Sequence, residues 1–296
     1  MLALRIVEIL FPLFFIVSLG TWYARRYDPD MTVTNTLNLH IFSPALIFSS
    51  LVNQNAGLAS FQPLILGTLV VVFGTGAFGW TLSRLSSFNP KTLALPMMFR
   101  NIGNLGLPLY ALSFGTVAMP AAVMVLVVQN FCHFTLGVYL LGSRVNPLKN
   151  LISPIILVTP LALIINGLQI PLHEALIRPI NMMGQVSIPV MLFSLGTQLA
   201  KTDFSDWKIA LAGAIATPLC GLLVVFAILP FLDLSPLHTG ILILFGTLPP
   251  AVVNFLLAQH YEQEPKKVAS IVVLSHLFAA FISLPIILAY VLPRFG

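Results

Sequence analysis

The chain has 296 residues, 58% of them hydrophobic and only 8% charged, whereas a soluble domain carries about 25% charged residues; there is too little charge to cover a water-facing surface. A net charge of +5 invites a nucleic-acid partner, but the basic residues fall in pairs in short loops rather than in a run or on one face, so none is expected. Cys132 and Cys220 each lie among apolar neighbours, with neither a disulfide framework nor a metal-ligand spacing, and packing is the role expected of both.

The useful unit is therefore the membrane span of about 20 apolar residues. In chain order the apolar runs are Ile9–Tyr23, Met31–Val52, Leu64–Leu82, Thr92–Gly115, Val117–Leu141, Leu151–Leu168, Ile180–Ala200, Ile209–Leu232, Leu237–His260 and Val268–Leu292. Ten spans joined by short loops predict an all-α membrane protein with no room for a soluble domain. Glu8 and the lack of a small-x-small cleavage site mark the first run as a retained helix rather than a signal peptide.

Basic residues orient the spans. The loops after spans one, three, five, seven and nine hold Arg25, Arg26, Arg84, Lys91, Arg144, Lys149, Lys201, Lys208, Lys266 and Lys267, against Arg5, Arg178 and Arg294 on the other side. Cytoplasmic loops carry the Lys/Arg excess, so both termini are expected outside the cytoplasm.

An internal repeat runs through the chain. Pro44–Ser49 in span two recurs as Pro189–Val-Met-Leu-Phe-Ser194 in span seven, an offset of 145 residues that also maps Phe61-Gln62 onto Asp206-Trp207 and Asn104-Leu105 onto Pro249-Pro250. Residues 1–142 and 151–296 then form two five-helix halves. Five is odd, so the second half is inverted relative to the first, as in many secondary transporters.

Spans four and nine are interrupted at corresponding places, as Arg100-Asn-Ile-Gly-Asn-Leu-Gly-Leu-Pro108 and Gly246-Thr-Leu-Pro-Pro-Ala-Val-Val-Asn254. Proline and glycine weaken a helix interior, and broken backbone is tolerated in a bilayer only where protein or a watered cavity satisfies it. The two breaks are expected to cross near the midplane and to offer helix N-termini to an anion. Asn101, Asn104 and Asn254 add side-chain amides there, Gly103 and Gly106 loosen the backbone, and Pro108, Pro249 and Pro250 suit early positions of a resumed helix. Packing kinks are the competing explanation for the prolines.

The Asn101–Leu109 run resembles the first crossover of the auxin efflux carrier family, and Leu248–Phe255, followed by Ala258, Tyr261 and Val268–Ser270, resembles the second; the Pro12 to Gly20 segment and the Pro44 span fit as well. The resemblance covers essentially the whole chain. It implies a scaffold domain from spans one, two, six and seven, a transport domain from the rest, and a substrate at the crossover touching Asn101, Asn104 and Asn254. Members include plant auxin carriers and bacterial permeases for malonate, malate and related carboxylates. The short Ser143–Asn150 loop lacks the long regulatory loop of the plant carriers, which speaks against auxin as substrate.

Arg100 is the one permanently charged residue deep in a span, roughly 12 Å from its cytoplasmic end by helical rise. It is either an anion contact or a cap on carbonyls at the break. Gln129 and Asn130 are further pocket candidates. His40, His133 and His276 are either proton relays or structural hydrogen-bonding groups. No carboxylate lies at comparable depth, so sodium coupling of the bile-acid-symporter type is not expected. An intramembrane enzyme is the rival class, but metal pairs and nucleophile elbows are missing, and Asp203 and Asp206 make only half of a prenyl-transfer motif. A channel fits a single central site less well than a carrier does. The expected partners are a small organic anion, the bilayer and a possible second copy of the chain; no cofactor or metal is expected.

Overall fold

A computed structural model describes residues 1–52, 58–142, 153–201 and 206–296, and within them the chain is helical apart from short connections and one isolated backbone bridge. The Ser143–Asn150 loop, with Arg144 and Lys149, and Asp203 lie outside the described residues.

Span one is α1 (Leu2–Tyr27). Span two is α2 (Thr32–Leu37), a π-turn (Asn38–Phe42) and α3 (Ser43–Val52). Span three is α4 (Gln62–Leu85). Span four comprises α5 (Pro90–Met98), a π-turn (Ile102–Gly106) and α6 (Leu107–Phe114). Span five comprises α7 (Met119–Cys132), a π-turn (His133–Gly137) and α8 (Val138–Leu141). Spans six, seven and eight are α9 (Pro154–Gly167), α10 (Glu174–Ala200) and α11 (Trp207–Ile228). Span nine is α12 (Pro236–Thr247) and α13 (Val253–His260). Span ten is α14 (Pro265–Phe278), a π-turn (Ala279–Ser283) and α15 (Leu284–Phe295).

Local chemistry sets many of these starts. Pro63, Pro90, Pro120, Pro154, Pro236 and Pro265 stand in first turns, where a missing N–H costs nothing. Asn89, Ser153 and Ser235 cap α5, α9 and α12 with side-chain oxygens. Inside the helices, buried hydroxyls such as Thr68, Thr75, Ser83 and Thr159 donate back to the carbonyl one turn earlier, so they leave no bare polar group in an apolar setting.

Among the described residues six stretches are long and apolar enough to cross a membrane: 2–27, 59–85, 116–141, 174–200, 207–231 and 265–295. The other expected spans fall short for separate reasons. Spans four and nine are broken, α9 has 14 residues, and the first half of span two is crowded with Thr32, Thr34, Asn35, Thr36, Asn38 and His40. The first helix also begins at Leu2 rather than Ile9. Arg5 lies within it because its long side chain reaches the Ser113 carbonyl, in the last turn of α6, at 3.5 Å.

The helices pack along several seams, and α1 also meets α6 and α15 while α3 meets α7. α1 lies along α10, and α3 packs on both α9 and α10; α4 packs on α5, α7 and α11, while α11 packs on α12 and α14, and α12 on α15. α1 and α10 approach most closely at two glycines. A Cβ at Gly20 stands 2.3 Å from the Phe193 carbonyl oxygen, and one at Gly196 stands 2.0 Å from that of Val17, so only glycine allows the backbones to meet there. α5 and α14 are tied at one end, where Thr92 donates to Glu264 at 2.5 Å and Glu264 also pairs with Lys267.

Candidate functional site

The backbone of span four leaves the helix at Phe99, which is extended (φ −109°, ψ 100°). It re-enters at Ile102, and the Asn101 side chain caps the restart by accepting from the Asn104 N–H at 3.2 Å. In span nine Leu248 is extended (φ −58°, ψ 143°), as the residue before a proline tends to be; Pro249 and Pro250 then carry the chain to Val253, where the helix restarts.

The breaks satisfy one another. The Asn101 N–H donates to the Pro249 carbonyl at 2.7 Å and the Ala251 N–H to the Phe99 carbonyl at 2.9 Å, which sets Arg100 opposite Pro250 in an antiparallel bridge. Gln129 of α7, 1% exposed, completes the arrangement. Its Oε1 accepts from the Arg100 N–H at 2.8 Å and its Nε2 donates to the Arg100 carbonyl at 2.7 Å. Asn254 Nδ2 donates to the carbonyls of Phe99 and Ala251 at 2.8 and 2.9 Å. The N–H groups of Arg100, Asn101 and Ala251 and the carbonyls of Phe99, Arg100 and Pro249 thus find partners across the breaks, as buried backbone requires.

The Arg100 guanidinium is fully buried. Nη1 donates to the Met97 carbonyl at 2.6 Å and Nη2 to that of Thr217 at 3.2 Å, and the group lies over the Phe245 ring at 5.8 Å. Of the two roles its depth allows, the carbonyl cap is the one its hydrogen bonds perform. Nε has no partner, and among the described residues no carboxylate pairs with this charge. Gly221 makes room for it, since a Cβ there would stand 2.3 Å from Nη2 and 1.8 Å from the Gly246 carbonyl oxygen.

Beside the paired breaks lies a cavity of about 570 Å³. Arg100, Asn101, Gly103 and Asn104 line it from one break and Ala251, Val252 and Val253 from the other, joined by Asn130 and His133. Of the residues expected at the site, Arg100, Asn101, Gly103, Asn104 and Asn130 thus share this cavity. Gly106, Pro108, Gln129, Pro249, Pro250 and Asn254 do not line it. Asn254 instead donates its amide nitrogen to two carbonyls and faces a much smaller space shared with Lys91 and His133. Pro108 stands six residues past the restart at Ile102, at the point where π geometry returns to α, rather than at the first turn after the break.

The far wall holds residues that the sequence reading passed over: Asn35 and Asn38 of span two, and Ser194 and Gln198 of α10. They form a polar ladder. Ser194 donates to Asn35 Oδ1 at 2.6 Å, Gln198 to Ser194 at 2.9 Å, Ser187 to Asn38 Oδ1 at 2.9 Å, and the Ser43 and Ser187 hydroxyls are 3.0 Å apart. The signal was present as two asparagines three residues apart on one helix and Ser187, Ser194 and Gln198 seven and four apart on another, spacings that share a face.

The histidines separate. His40 lines the cavity; His133 lines it as well and stacks on Phe99 with ring centroids 4.1 Å apart. His276 sits behind Asn101, with its Nε2 2.9 Å from Asn101 Nδ2.

Residues 5–147 and 140–288 match the profile of a family described as membrane transport protein. The chain belongs to this family, that of the auxin efflux carriers, and is a multi-pass membrane transport protein. No curated protein matches it significantly.

Proposed function

We propose that the protein is a secondary transporter that moves a small organic anion, a carboxylate, by alternating access, and that the anion binds where the two helix breaks meet. One observation carries this reading: the restarts of both interrupted helices, at Asn101–Asn104 and at Ala251–Val253, open on the same cavity. First-turn N–H groups have no partner within their own helix and attract negative charge. Asn101, Asn104 and Asn130 add amides that can donate to carboxylate oxygens. The buried Arg100 charge, capped by carbonyls but paired with no described carboxylate, leaves the break electropositive without spending its side chain on the ligand.

In this reading two sets of helices have different tasks. The set containing α1, α2, α3, α9 and α10 is the scaffold, and the remaining helices, which carry both breaks, move against it as an inverted-repeat transport domain. The protein resides in the cytoplasmic membrane with both termini outside, and its activity is transport rather than catalysis. The test is counterflow in proteoliposomes loaded with mono- and dicarboxylates, with labelled malonate as probe. Exchange is expected for wild type, with a loss of roughly 10- to 100-fold in Asn101→Ala, the equivalent of one charge-assisted hydrogen bond. Undiminished exchange in both Asn101→Ala and Asn104→Ala would place the site elsewhere.

A further inference from the structure

Asn101 lies between two separate spaces. On one side is the cavity between the breaks; on the other is His276 of α14, which forms part of the wall of a second cavity of about 510 Å³ between α1, α10 and the middle of span ten. The hydrogen bonds fix the polarity of the chain that joins them. His276 Nδ1 is 2.8 Å from the Val272 carbonyl, which only accepts, so Nδ1 carries the proton. In the neutral ring Nε2 is then an acceptor, and the Asn101 amide donates to it at 2.9 Å. That orientation leaves Asn101 Oδ1 facing the Asn104 N–H, whose hydrogen bond it accepts. A single proton on Nε2 contradicts the arrangement at its centre, because ring and amide would then both present donors.

We propose that His276 is a proton-binding site coupled to the anion site through Asn101, and that the protein carries a proton together with its anion. When Nε2 takes up a proton, the Asn101 amide turns over so that Oδ1 accepts from the ring. Its Nδ2 then faces the Asn104 N–H, and the cap at the restart of span four is lost. Two consequences favour an anion in the adjoining cavity: the Asn104 N–H is released from its cap, and a positive charge is added one residue behind it. Coupling of this kind is reciprocal, so the anion in turn favours protonation of the ring.

Other titratable groups near this pair do not duplicate the role. On the elements packed against α14 they are Lys208 and Cys220 of α11, Lys91 of α5 and His260 of α13; Glu264, Lys266 and Lys267 lie at its own start. Lys91 donates to the Leu141 carbonyl and Lys267 pairs with Glu264. Arg25 lines the second cavity, while Arg100, His40 and His133 line the first, and among the described residues neither cavity is lined by Asp or Glu. His276 is hydrogen-bonded to Asn101, whose amide lines the cavity between the breaks at the restart of span four.

The switch itself is tested without any substrate, by magic-angle-spinning NMR of the full-length wild-type protein, ¹⁵N-labelled at histidine and asparagine, in lipid bilayers. The expected result is a His276 ring protonated on Nδ1 alone at pH 8 that becomes doubly protonated as the pH falls, with the Asn101 amide nitrogen shifting over the same range. A ring that stays neutral until the protein unfolds, or an Asn101 amide that ignores its titration, would overturn the proposal. The symport half rests on the transport reading above and is tested separately with labelled malonate at clamped voltage. Wild type should accumulate it by up to ~10-fold per unit of inward pH gradient for one coupled proton. His276→Gln, which keeps an acceptor for Asn101 but cannot titrate, should exchange malonate without responding to the gradient. A full response in His276→Gln overturns the coupling. If wild type moves no carboxylate, the transport reading fails, and the NMR titration still decides the switch.

Discussion

Gln129 and Asn130 are neighbours on α7, and adjacent residues on a helix point about 100° apart, so one such pair serves two purposes. Asn130 faces the cavity, whereas Gln129 turns to the break and satisfies both the N–H and the carbonyl of Arg100. A Gln129→Ala change leaves the buried Arg100 N–H bare, at about 1–3 kcal/mol, while the Arg100 carbonyl keeps only the Ile102 N–H, and it is expected to lower the thermal unfolding midpoint. Gln129→Glu keeps the acceptor but not the donor and should fall between Ala and wild type. Wild-type stability in Gln129→Ala would mean that the bridge holds without this side chain. The same geometry explains what sequence could and could not reveal at this scale. Polar residues in apolar runs pick out Arg100, Asn101, Asn104, Gln129, Asn130 and Asn254 as a group. Which of them touch the cavity and which support it depends on helix phase and on the path of a broken backbone, and neither follows from spacing alone.

Each of the four π-turns among the described residues borders a cavity. The π-turns at Asn38–Phe42, Ile102–Gly106 and His133–Gly137 place Asn38, His40, Gly103, Asn104 and His133 on the cavity between the breaks, and the one at Ala279–Ser283 places Ala280 and Phe281 on the second cavity. Such bulges mark functional positions in many helices. The two breaks are readable in advance because proline, glycine and asparagine cluster inside otherwise apolar runs. The π-turns are not, since Asn38–Phe42 and His133–Gly137 contain no proline and are set by how neighbouring helices pack. Helix contact is equally silent in one sequence. Gly20 and Gly196 hold α1 against α10 at distances no side chain permits. Gly20→Ala and Gly196→Ala are each expected to cost about 1–3 kcal/mol through overpacking. The double variant should cost less than their sum, because one displacement of α1 relieves both clashes. Thermal unfolding of the three variants in the same lipid checks this; strictly additive losses would show that the two glycines act at independent contacts.

At the scale of the molecule, composition alone is decisive for class: a chain this poor in charge and this rich in apolar runs belongs in a bilayer, and its family is one of membrane transport proteins. Mechanism rests on a smaller region, in which two interrupted helices share hydrogen bonds across Arg100 and Pro250 and both restarts border one cavity. The most direct test is a cryo-electron microscopy structure of the protein in nanodiscs with malonate as the probe anion, at a resolution that shows the carboxylates. Malonate is expected between the breaks, within hydrogen-bonding distance of Asn101 or Asn104 and of the N–H groups at Val252 and Val253. Malonate bound elsewhere, or residues 99–104 and 248–253 running as separate, unbroken helices, would contradict this mechanism.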